Sequence, residues 1–284
     1  MKRSLLIFLF IFSLSLPVFS KVRIGLLKSS VSVPFCFMLE KKDFAFLYFD
    51  TAQELTAAMK AGTVDAAVVS AVLAEKLSEA THGRIFAGAI TSYADSALLS
   101  FDSDAVAFSD LLGAQIYVVK DSFEELYLRF LLEKNEVPVK IGESGIEIIY
   151  LESSANIVSA LASGTIRYGV VSEPFVSAAL VSAAKIKRSI DFQDEYSKIY
   201  GPEKKIPKSA LILRRQFVQT FPELYDLLKE ELEHSVQKVK TNPFQAACLC
   251  KKNGISLFSY SAARSIYGSD YCFIPLENGI KLSF

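Results

Sequence analysis

The sequence predicts an α/β protein of two similar lobes, each a mainly parallel sheet flanked by helices, with two crossings of the chain between them. The first observation is that apolar strands alternate with helical segments, which is the order that places parallel strands in a sheet buried on both faces. The second is that a helix–turn–strand unit occurs twice. Its copies read TAQELTAAMKAGTVDAAVVS at residues 51–70 and SSANIVSALASGTIRYGVVSEPF at residues 153–175. Two copies in one chain indicate two lobes whose strand ends face each other across a cleft.

The two copies align through their turn glycines, Gly62 and Gly164. In this alignment both copies share the alanine before the turn, the threonine after it and the end of the strand. The identical pairs are Ala58 and Ala160, Gly62 and Gly164, Thr63 and Thr165, Val68 and Val170, Val69 and Val171, and Ser70 and Ser172. Chance similarity between two unrelated α/β units is the alternative interpretation.

Composition narrows the class of protein. The chain has 284 residues, of which 51% are hydrophobic, enough for one large or two medium domains with their own cores. Lys+Arg and Asp+Glu both number 31 and no basic run follows the N-terminus, so we expect no nucleic-acid partner. His82 and His234 are the only histidines, which excludes a site of several histidines. We expect neither a metal nor a cofactor.

Residues 1–20 have the layout of a secretory signal. Lys2 and Arg3 precede an apolar run, Pro17 ends it, and Val18 and Ser20 occupy the −3 and −1 positions of a cut after residue 20. The run is short for a membrane span. We therefore expect an exported, soluble mature protein, and an uncleaved N-terminal anchor is the alternative.

Four cysteines in an exported chain can include a disulfide. Cys248 and Cys250 lie two residues apart on a predicted helix and point to different faces, so they are not expected to pair with each other. Either of them could pair with Cys272. Cys36, in an apolar segment, is expected to be a packed thiol.

Lobe one is predicted from the N-terminal half of the mature chain. Pro34 suits the first turn of a helix over residues 34–40, since its ring presets φ and the missing amide would be unpaired there. Asp50 or Thr51 caps the next helix, which ends at Gly62. Strands are expected at residues 22–27, 44–49, 66–70 and 84–90. Residues 91–101 are expected to cross in extended form to the second lobe.

Lobe two begins with a helical turn at residues 108–113, and Asp121 and Ser122 cap a helix over 123–135. Strands are expected at 115–119 and 146–151, before the second copy of the repeated unit. Residues 175–184 are the predicted return crossing and 187–207, with Gly201, Pro202 and Pro207, a loop. A strand at 210–213 and helices at 217–240, 242–254 and 256–267 complete the chain. The predicted division is 21–95 and 185–284 for lobe one and 96–184 for lobe two.

Candidate binding residues lie at the carboxyl ends of the predicted strands, where open α/β sheets bind ligands beside helix N-termini. They are mostly hydroxyls and amides, which orient a small ligand through hydrogen bonds. The candidates are Ser29, Ser30, Ser70, Thr91, Ser92, Tyr93, Asp121, Ser122, Asn156, Ser172 and Glu173. The alternative interpretation is that these serines and Asn156 only cap helices.

Catalysis is weakly supported by the sequence. Neither histidine lies at a strand end, so a Ser-His-acid triad lacks its base. Asp121 and Glu173 could form a carboxylate pair for acid–base work. Asp121 is more simply a helix cap, and Glu173 with Pro174 a shaped turn. We therefore expect a protein that is not an enzyme.

Several segments, in their order and spacing, resemble the periplasmic solute-binding proteins of ABC importers. The closest branch is the one that binds nitrate, taurine, aliphatic sulfonates and thiamine-pyrimidine precursors. The segments are VRIGLLKSSVSVP (22–34), QELTAAMKAGTVDAAVVS (53–70), FSDLLGAQIYVVKDSFEELYLRFLLEKN (108–135), GVVSEPF (169–175), FVQTFPELYDLLKEEL (217–232) and NPFQAACLCKKNGI (242–255).

This resemblance implies the type II fold of that family, in which two lobes close on a small-molecule ligand. It also implies a periplasmic location, a monomer, an ABC permease with its ATPase as partners, and peripheral contact with that membrane complex. The family's contact positions map to Ser29, Ser30, Ser70, Asp121, Ser122, Ser172 and Glu173. No Trp precedes the Glu-Pro turn and no Arg lies at these strand ends, so a neutral or aromatic heterocycle is favoured over a sulfonate or nitrate.

Enzymes on the same fold are the alternative. These are the yeast-type pyrimidine synthase, whose CCCFC cluster is missing from this sequence, and the menaquinone-pathway chorismate dehydratase and its relatives. Their substrates are cytoplasmic, whereas this chain carries a predicted export signal. An exported sensor module that reports its ligand to a membrane partner is a third interpretation.

Overall fold

The computed structural model describes residues 21–140, 144–255 and 262–277. The predicted signal segment and the first six residues of the predicted helix 256–267 lie outside the described residues. No helix in the described ranges is long and apolar enough to cross a membrane.

Eleven strands in the described part of the chain form two sheets. They are β1 (Val22–Leu27), β2 (Phe44–Phe49), β3 (Ala66–Ser70), β4 (Ile85–Tyr93), β5 (Ala97–Phe101), β6 (Gln115–Val119), β7 (Glu147–Leu151), β8 (Tyr168–Val171), β9 (Ile186–Asp191), β10 (Pro207–Arg214) and β11 (Tyr271–Pro275). The first sheet has the order β11-β4-β10-β3-β1-β2, and the second has the order β7-β6-β8-β5-β9.

Ten α-helices and two short 3-10 helices cover these sheets where the chain is described. The α-helices are α1 (Ala52–Ala61), α2 (Ala71–Ala80), α3 (Phe123–Lys134), α4 (Ser154–Ala162), α5 (Phe175–Ser182), α6 (Phe192–Tyr200), α7 (Arg215–Thr220), α8 (Pro222–Thr241), α9 (Pro243–Lys252) and α10 (Ala262–Gly268). The 3-10 helices span Ser30–Met38 and Phe108–Leu111.

The two sheets have the same plan, which confirms the prediction of two similar lobes. In the first, β1 runs parallel to β2 and β3, and β10 lies antiparallel between β3 and β4. In the second, β6 runs parallel to β7 and β8, and β5 lies antiparallel between β8 and β9. The antiparallel strand in each sheet is the one that enters from the other lobe. Each sheet is therefore mixed around a parallel majority.

The repeated unit corresponds to α1 with β3 and to α4 with β8, which occupy equivalent places in their sheets. Gly62 and Gly164 both adopt left-handed backbone, with φ of 79° and 72°, a conformation that favours glycine. In each copy the threonine after the glycine donates its amide to the matching alanine carbonyl, Thr63 to Ala58 at 3.0 Å and Thr165 to Ala160 at 2.9 Å. The shared sequence thus encodes the same helix C-terminus twice.

Helices pack on both faces of each sheet. Neighbouring residues of a strand point to opposite faces, so both sets of side chains are buried. On β3, Val68 packs in the core under α8, whereas Ala67 and Val69 pack under α1 and α2. On β8, Val170 packs with residues of α3 and Val171 with residues of α4 and α5. The interior strands β3 and β8 are therefore covered on both faces.

The predicted return crossing was wrong. Residues 175–184 contain α5, whose Val176 and Ala179 are buried beside α4. The predicted loop contains β9, which pairs with β5, and α6, which Asp191 caps by accepting the amides of Gln193 and Asp194. Its polar composition concealed an amphipathic helix whose Phe192 and Tyr196 pack in the second core. The second lobe therefore continues past residue 184, where we had placed its end.

Three smaller differences are confined to single elements. The helix with Pro34 is a 3-10 helix that starts four residues earlier, at Ser30. The predicted helix 217–240 is divided into α7 and α8, because Phe221, with φ of −134° and ψ of 63°, leaves the helical conformation ahead of Pro222. Helix α2 and strand β11 were not predicted.

The two crossings lie side by side. Residues 94–96 join β4 to β5, and residues 201–206 join α6 to β10. The Ala94 amide donates to the Ile206 carbonyl at 2.9 Å, which ties one crossing to the other. Next to them, Asp95 forms a largely buried ion pair with Lys208.

Candidate functional site

A cavity of about 450 Å³ opens between the two lobes. The corner between β3 and α2 contributes one side of it, and the corner between β6 and α3 contributes the other. Its lining comprises Ser70, Val72, Lys76, Asp121, Ser122, Phe123, Glu125, Leu126 and Arg129. Three of the predicted binding residues, Ser70, Asp121 and Ser122, therefore meet at one site although they come from different lobes.

Two helices begin at this cavity, and a serine caps each of them. The Ser70 hydroxyl accepts the Leu73 amide at 3.3 Å at the start of α2. The Ser122 hydroxyl accepts the Glu125 amide at 3.1 Å and donates to the Val119 carbonyl at 2.7 Å at the start of α3. Helix N-termini carry positive partial charge, so both ends favour a polar or anionic group in the cavity. The predicted capping role and the predicted binding role are compatible here.

Glu125 is held in place by its neighbours. Its carboxylate accepts from Tyr150 Oη at 2.6 Å, the Asp121 amide at 2.7 Å and Arg129 Nε at 2.9 Å. Burial acts to raise the pKa of Glu125, but hydrogen bonds from Tyr150, Arg129 and the Asp121 amide outweigh it, and the pKa lies below its ordinary value. Glu125 is thus an ionised anchor that orients Arg129 at the wall of the cavity.

The structure adds two cations that the sequence analysis missed, Lys76 and Arg129. Lys76 was missed because α2 was not predicted, although buried Ala71, Ala74 and Leu77 show helical spacing. Arg129 lies two turns after the cap Ser122, and this spacing on the predicted helix could have placed it on the same face. No arginine lies at the strand ends named as candidates in the sequence, but helix α3 brings Arg129 to the cavity.

Thr91, Ser92 and Tyr93 lie elsewhere. Thr91 and Ser92 are buried, and their hydroxyls hydrogen-bond to the Ser209 hydroxyl at 2.8 and 2.6 Å. Tyr93 lines a different cavity, and Lys205 lies over its ring at 5.1 Å. These contacts join β4 to β10 and to the second crossing.

The remaining candidates lie at sheet edges or helix starts. Ser29 precedes the 3-10 helix, makes no capping hydrogen bond, and lies at the same edge of the first sheet as Ser70. The Ser30 carbonyl accepts the Tyr271 hydroxyl at 3.1 Å. Asn156 is exposed in the first turn of α4, and the Ser172 carbonyl accepts the Phe175 amide at 2.8 Å.

Glu173 is buried outside this cavity. Its carboxylate accepts from the Ser177 amide at 3.1 Å and the Ser177 hydroxyl at 3.0 Å, and Arg188 lies 3.7 Å away. It also touches α10 of the first lobe, where a Cβ on Gly268 would lie 2.7 Å from its Oε1. Burial, with a smaller contribution from Asp95, raises the pKa of Glu173 to about 7. Asp121 lines the cavity and Glu173 does not, so this geometry does not favour the carboxylate pair considered for acid–base catalysis.

The raised pKa of Glu173 predicts a pH dependence of stability. Its protonated form is favoured in the folded state, so its contribution is complete below the ordinary pKa of 4.5 and is lost as the pH rises through about 7. Over this window we expect the free energy of unfolding to fall by roughly 2–3 kcal/mol. Glu173→Gln should remove most of this fall, as measured by urea unfolding from pH 5 to 8.

Glu203→Gln is the matched control, since Glu203 is exposed in the second crossing and its replacement should leave the pH profile unchanged. An unchanged profile in Glu173→Gln would contradict the assignment of this pH dependence to Glu173.

The described residues contain no group of three or more His, Cys, Asp or Glu side chains able to hold a metal ion.

No protein-family model matches the chain, and no curated protein gives a significant sequence match. Solved structures do match its fold. The periplasmic aliphatic sulphonate-binding protein SsuA of Escherichia coli has a TM-score of 0.71 at 16% identity, over 91% of this chain and 82% of SsuA. A structure described as an ABC transporter from Parabacteroides distasonis has a TM-score of 0.71 at 14% identity, over 90% and 86%.

The periplasmic nitrate-binding protein NrtA of Synechocystis PCC 6803 matches with a TM-score of 0.58 at 13% identity, over 86% of this chain and 69% of NrtA. At such identities the likeness establishes the fold. The chain has the two-lobed fold of periplasmic binding proteins, as the resemblance implied.

Proposed function

We propose that this chain is the substrate-binding component of an ABC-type importer. It captures a small organic solute between its lobes and delivers it to a membrane permease that an ATPase powers. The observation that carries the proposal is the cavity in which the N-termini of α2 and α3, one from each lobe, face a common space. The functions of the solved structures with this fold support it.

The geometry also supplies a mechanism. A ligand held by Ser70 on one side and by Asp121 and Ser122 on the other makes its full set of contacts only when both sides are near. Binding therefore favours the closed arrangement of the lobes over an open one. The paired crossings at residues 94–96 and 201–206 are the segments able to bend, and the permease would recognise the closed form.

The side chains around the cavity bear on the class of ligand. Lys76 and Arg129 offset the charges of Asp121 and Glu125, while the two helix N-termini add positive potential. We infer that a ligand with an acidic group is as well accommodated as the neutral heterocycle favoured by the sequence. Phe123 and Leu126 offer apolar surface to the rest of such a molecule.

We further propose that the chain is exported to the periplasm through its N-terminal signal and acts as a monomer. Residues 1–20 combine a basic start, an apolar run and a cleavage pattern, which supports export. SsuA and NrtA, which share this fold, are periplasmic binding proteins, which also supports this location.

Native mass spectrometry of the purified mature chain tests the proposal. We expect a co-purified small molecule, or a saturable rise in melting temperature with one member of a panel of aliphatic sulfonates, nitrate, pyrimidines and flavins. The ligand should be recovered chemically unchanged. Turnover would favour an enzyme on this fold, and the absence of any saturable ligand would contradict the receptor.

A further inference from the structure

Two cysteines from distant parts of the chain meet in the core of the first lobe. Cys36 lies in the 3-10 helix after β1, and Cys250 lies in the last two turns of α9. Both are fully buried, at 1% and 0% exposure, in one hydrophobic cluster. Helix α9 packs directly against this 3-10 helix, which brings the two buried side chains into the same part of the core. The neighbouring Cys250 thiol, followed by burial, raises the pKa of the Cys36 thiol.

This pairing differs from the one considered from the sequence. Cys250 faces Cys36, whereas Cys272 lies on β11 and its thiol is directed at the Ile90 carbonyl, 3.8 Å away. Cys272 packs with the cluster on the opposite face of the first sheet. Cys248 is exposed. The structure therefore brings one pair of cysteines together and keeps the other two apart from it.

We propose that Cys36 and Cys250 form a disulfide in the exported protein. The disulfide forms by thiol–disulfide exchange. The thiolate of one cysteine attacks a disulfide-bearing oxidant, which gives a mixed disulfide and one free thiol of the oxidant. The second cysteine then displaces the other thiol, so two protein thiols are oxidised and one oxidant disulfide is reduced to two thiols. Only the supply of oxidant in the cell depends on the proposed export.

The bridge forms before the core closes. In the folded chain both sulfurs are shielded from solvent and thiolate formation at Cys36 is disfavoured, so exchange is slow there. During folding both thiols are accessible. The completed bridge would join the segment that follows Ser29 and Ser30 at the sheet edge to the C-terminal helices of the same lobe.

Oxidative refolding tests this assignment. The mature chain is denatured and reduced, refolded with reduced and oxidised glutathione, and alkylated under denaturing conditions. Peptide mapping should find Cys36 joined to Cys250, with Cys248 and Cys272 alkylated. The oxidised protein should melt roughly 5–15 °C above the same protein refolded with reductant.

The double variant Cys248→Ser/Cys272→Ser is the matched control, because it retains only the proposed pair and should give the same bridge and melting shift. Four alkylated thiols in refolded wild-type protein, or a bridge that uses Cys248 or Cys272, would overturn the proposal. The mapping needs no ligand, so its outcome is independent of whether the chain is a solute receptor.

Discussion

Replacing Ser70 with tryptophan should weaken ligand binding by at least about 100-fold, which corresponds to roughly 2.7 kcal/mol. Ser70 lines the cavity of about 450 Å³ between the lobes, and an indole there occupies the space of the ligand and blocks the approach of α3. The loss of the cap on α2 should lower the free energy of unfolding by only about 1 kcal/mol. Titration calorimetry with the co-purified solute measures the first effect, and urea unfolding measures the second.

Ser153→Trp is the matched control. Ser153 caps α4 by accepting the Asn156 amide at 3.2 Å, as Ser70 caps α2, but it does not line the cavity. This variant should show a similar loss of stability with unchanged affinity. If Ser70→Trp binds the solute within a few-fold of the wild-type protein, the ligand does not occupy this cavity.

Asp95→Ala should lower the free energy of unfolding by about 3 kcal/mol. Asp95 and Lys208 are paired at the crossings with side-chain exposures of 2% and 15%, and removal of the carboxylate leaves a largely buried ammonium without its partner. The Glu173 amide also loses its acceptor, since it donates to Asp95 Oδ1 at 3.4 Å. Urea unfolding at pH 7 measures the effect.

The exposed pair of Asp104 and Lys187 provides the comparison. Its side chains are 91% and 56% exposed, so Asp104→Ala should change stability by less than about 0.5 kcal/mol. The double variant Asp95→Ala/Lys208→Met should recover part of the loss, because no charge is then buried alone. Equal effects of Asp95→Ala and Asp104→Ala would contradict a structural role for the buried pair.

Periodicity and turn residues were sufficient to predict most of the first lobe. Strands β1, β2 and β3 of this lobe have the predicted bounds, as does β6 of the second lobe, since each is a short apolar run between turn residues. The repeat was detectable because the Gly62 and Gly164 turns have the same backbone requirement in both lobes. Strand bounds and glycine turns depend on neighbouring residues, so they can be predicted from the sequence.

The return to the first lobe could not be predicted in the same way. Helix α6 has a polar composition, and only its contacts with the second core reveal that Phe192 and Tyr196 form a buried face. Strand β9 was missed because Lys187 and Arg188 face solvent on an edge strand. Such elements depend on partners distant in sequence, which local patterns do not specify.

The same limit applies to the site. Ser70, Asp121 and Ser122 were found because strand ends and helix caps follow from local sequence. Lys76 and Arg129 reach the cavity only through the orientation of α2 and α3. Thr91 and Ser92 lie at a predicted strand end and carry hydroxyls, as the other candidates do. Their hydroxyls nevertheless hydrogen-bond to Ser209, which lies on a strand more than a hundred residues later.

Each crossing leads directly into an interior strand of the sheet that it enters. Residues 201–206 lead into β10, which lies between β3 and β4, and residues 94–96 lead into β5, which lies between β8 and β9. A torsional change at residues 94–96 or 201–206 is therefore passed to a whole sheet and cannot be absorbed by a loose surface loop. Because the two crossings lie side by side, we expect the halves to move mainly by bending about this pair. One pair of spectroscopic labels, one on each half, would be enough to follow it.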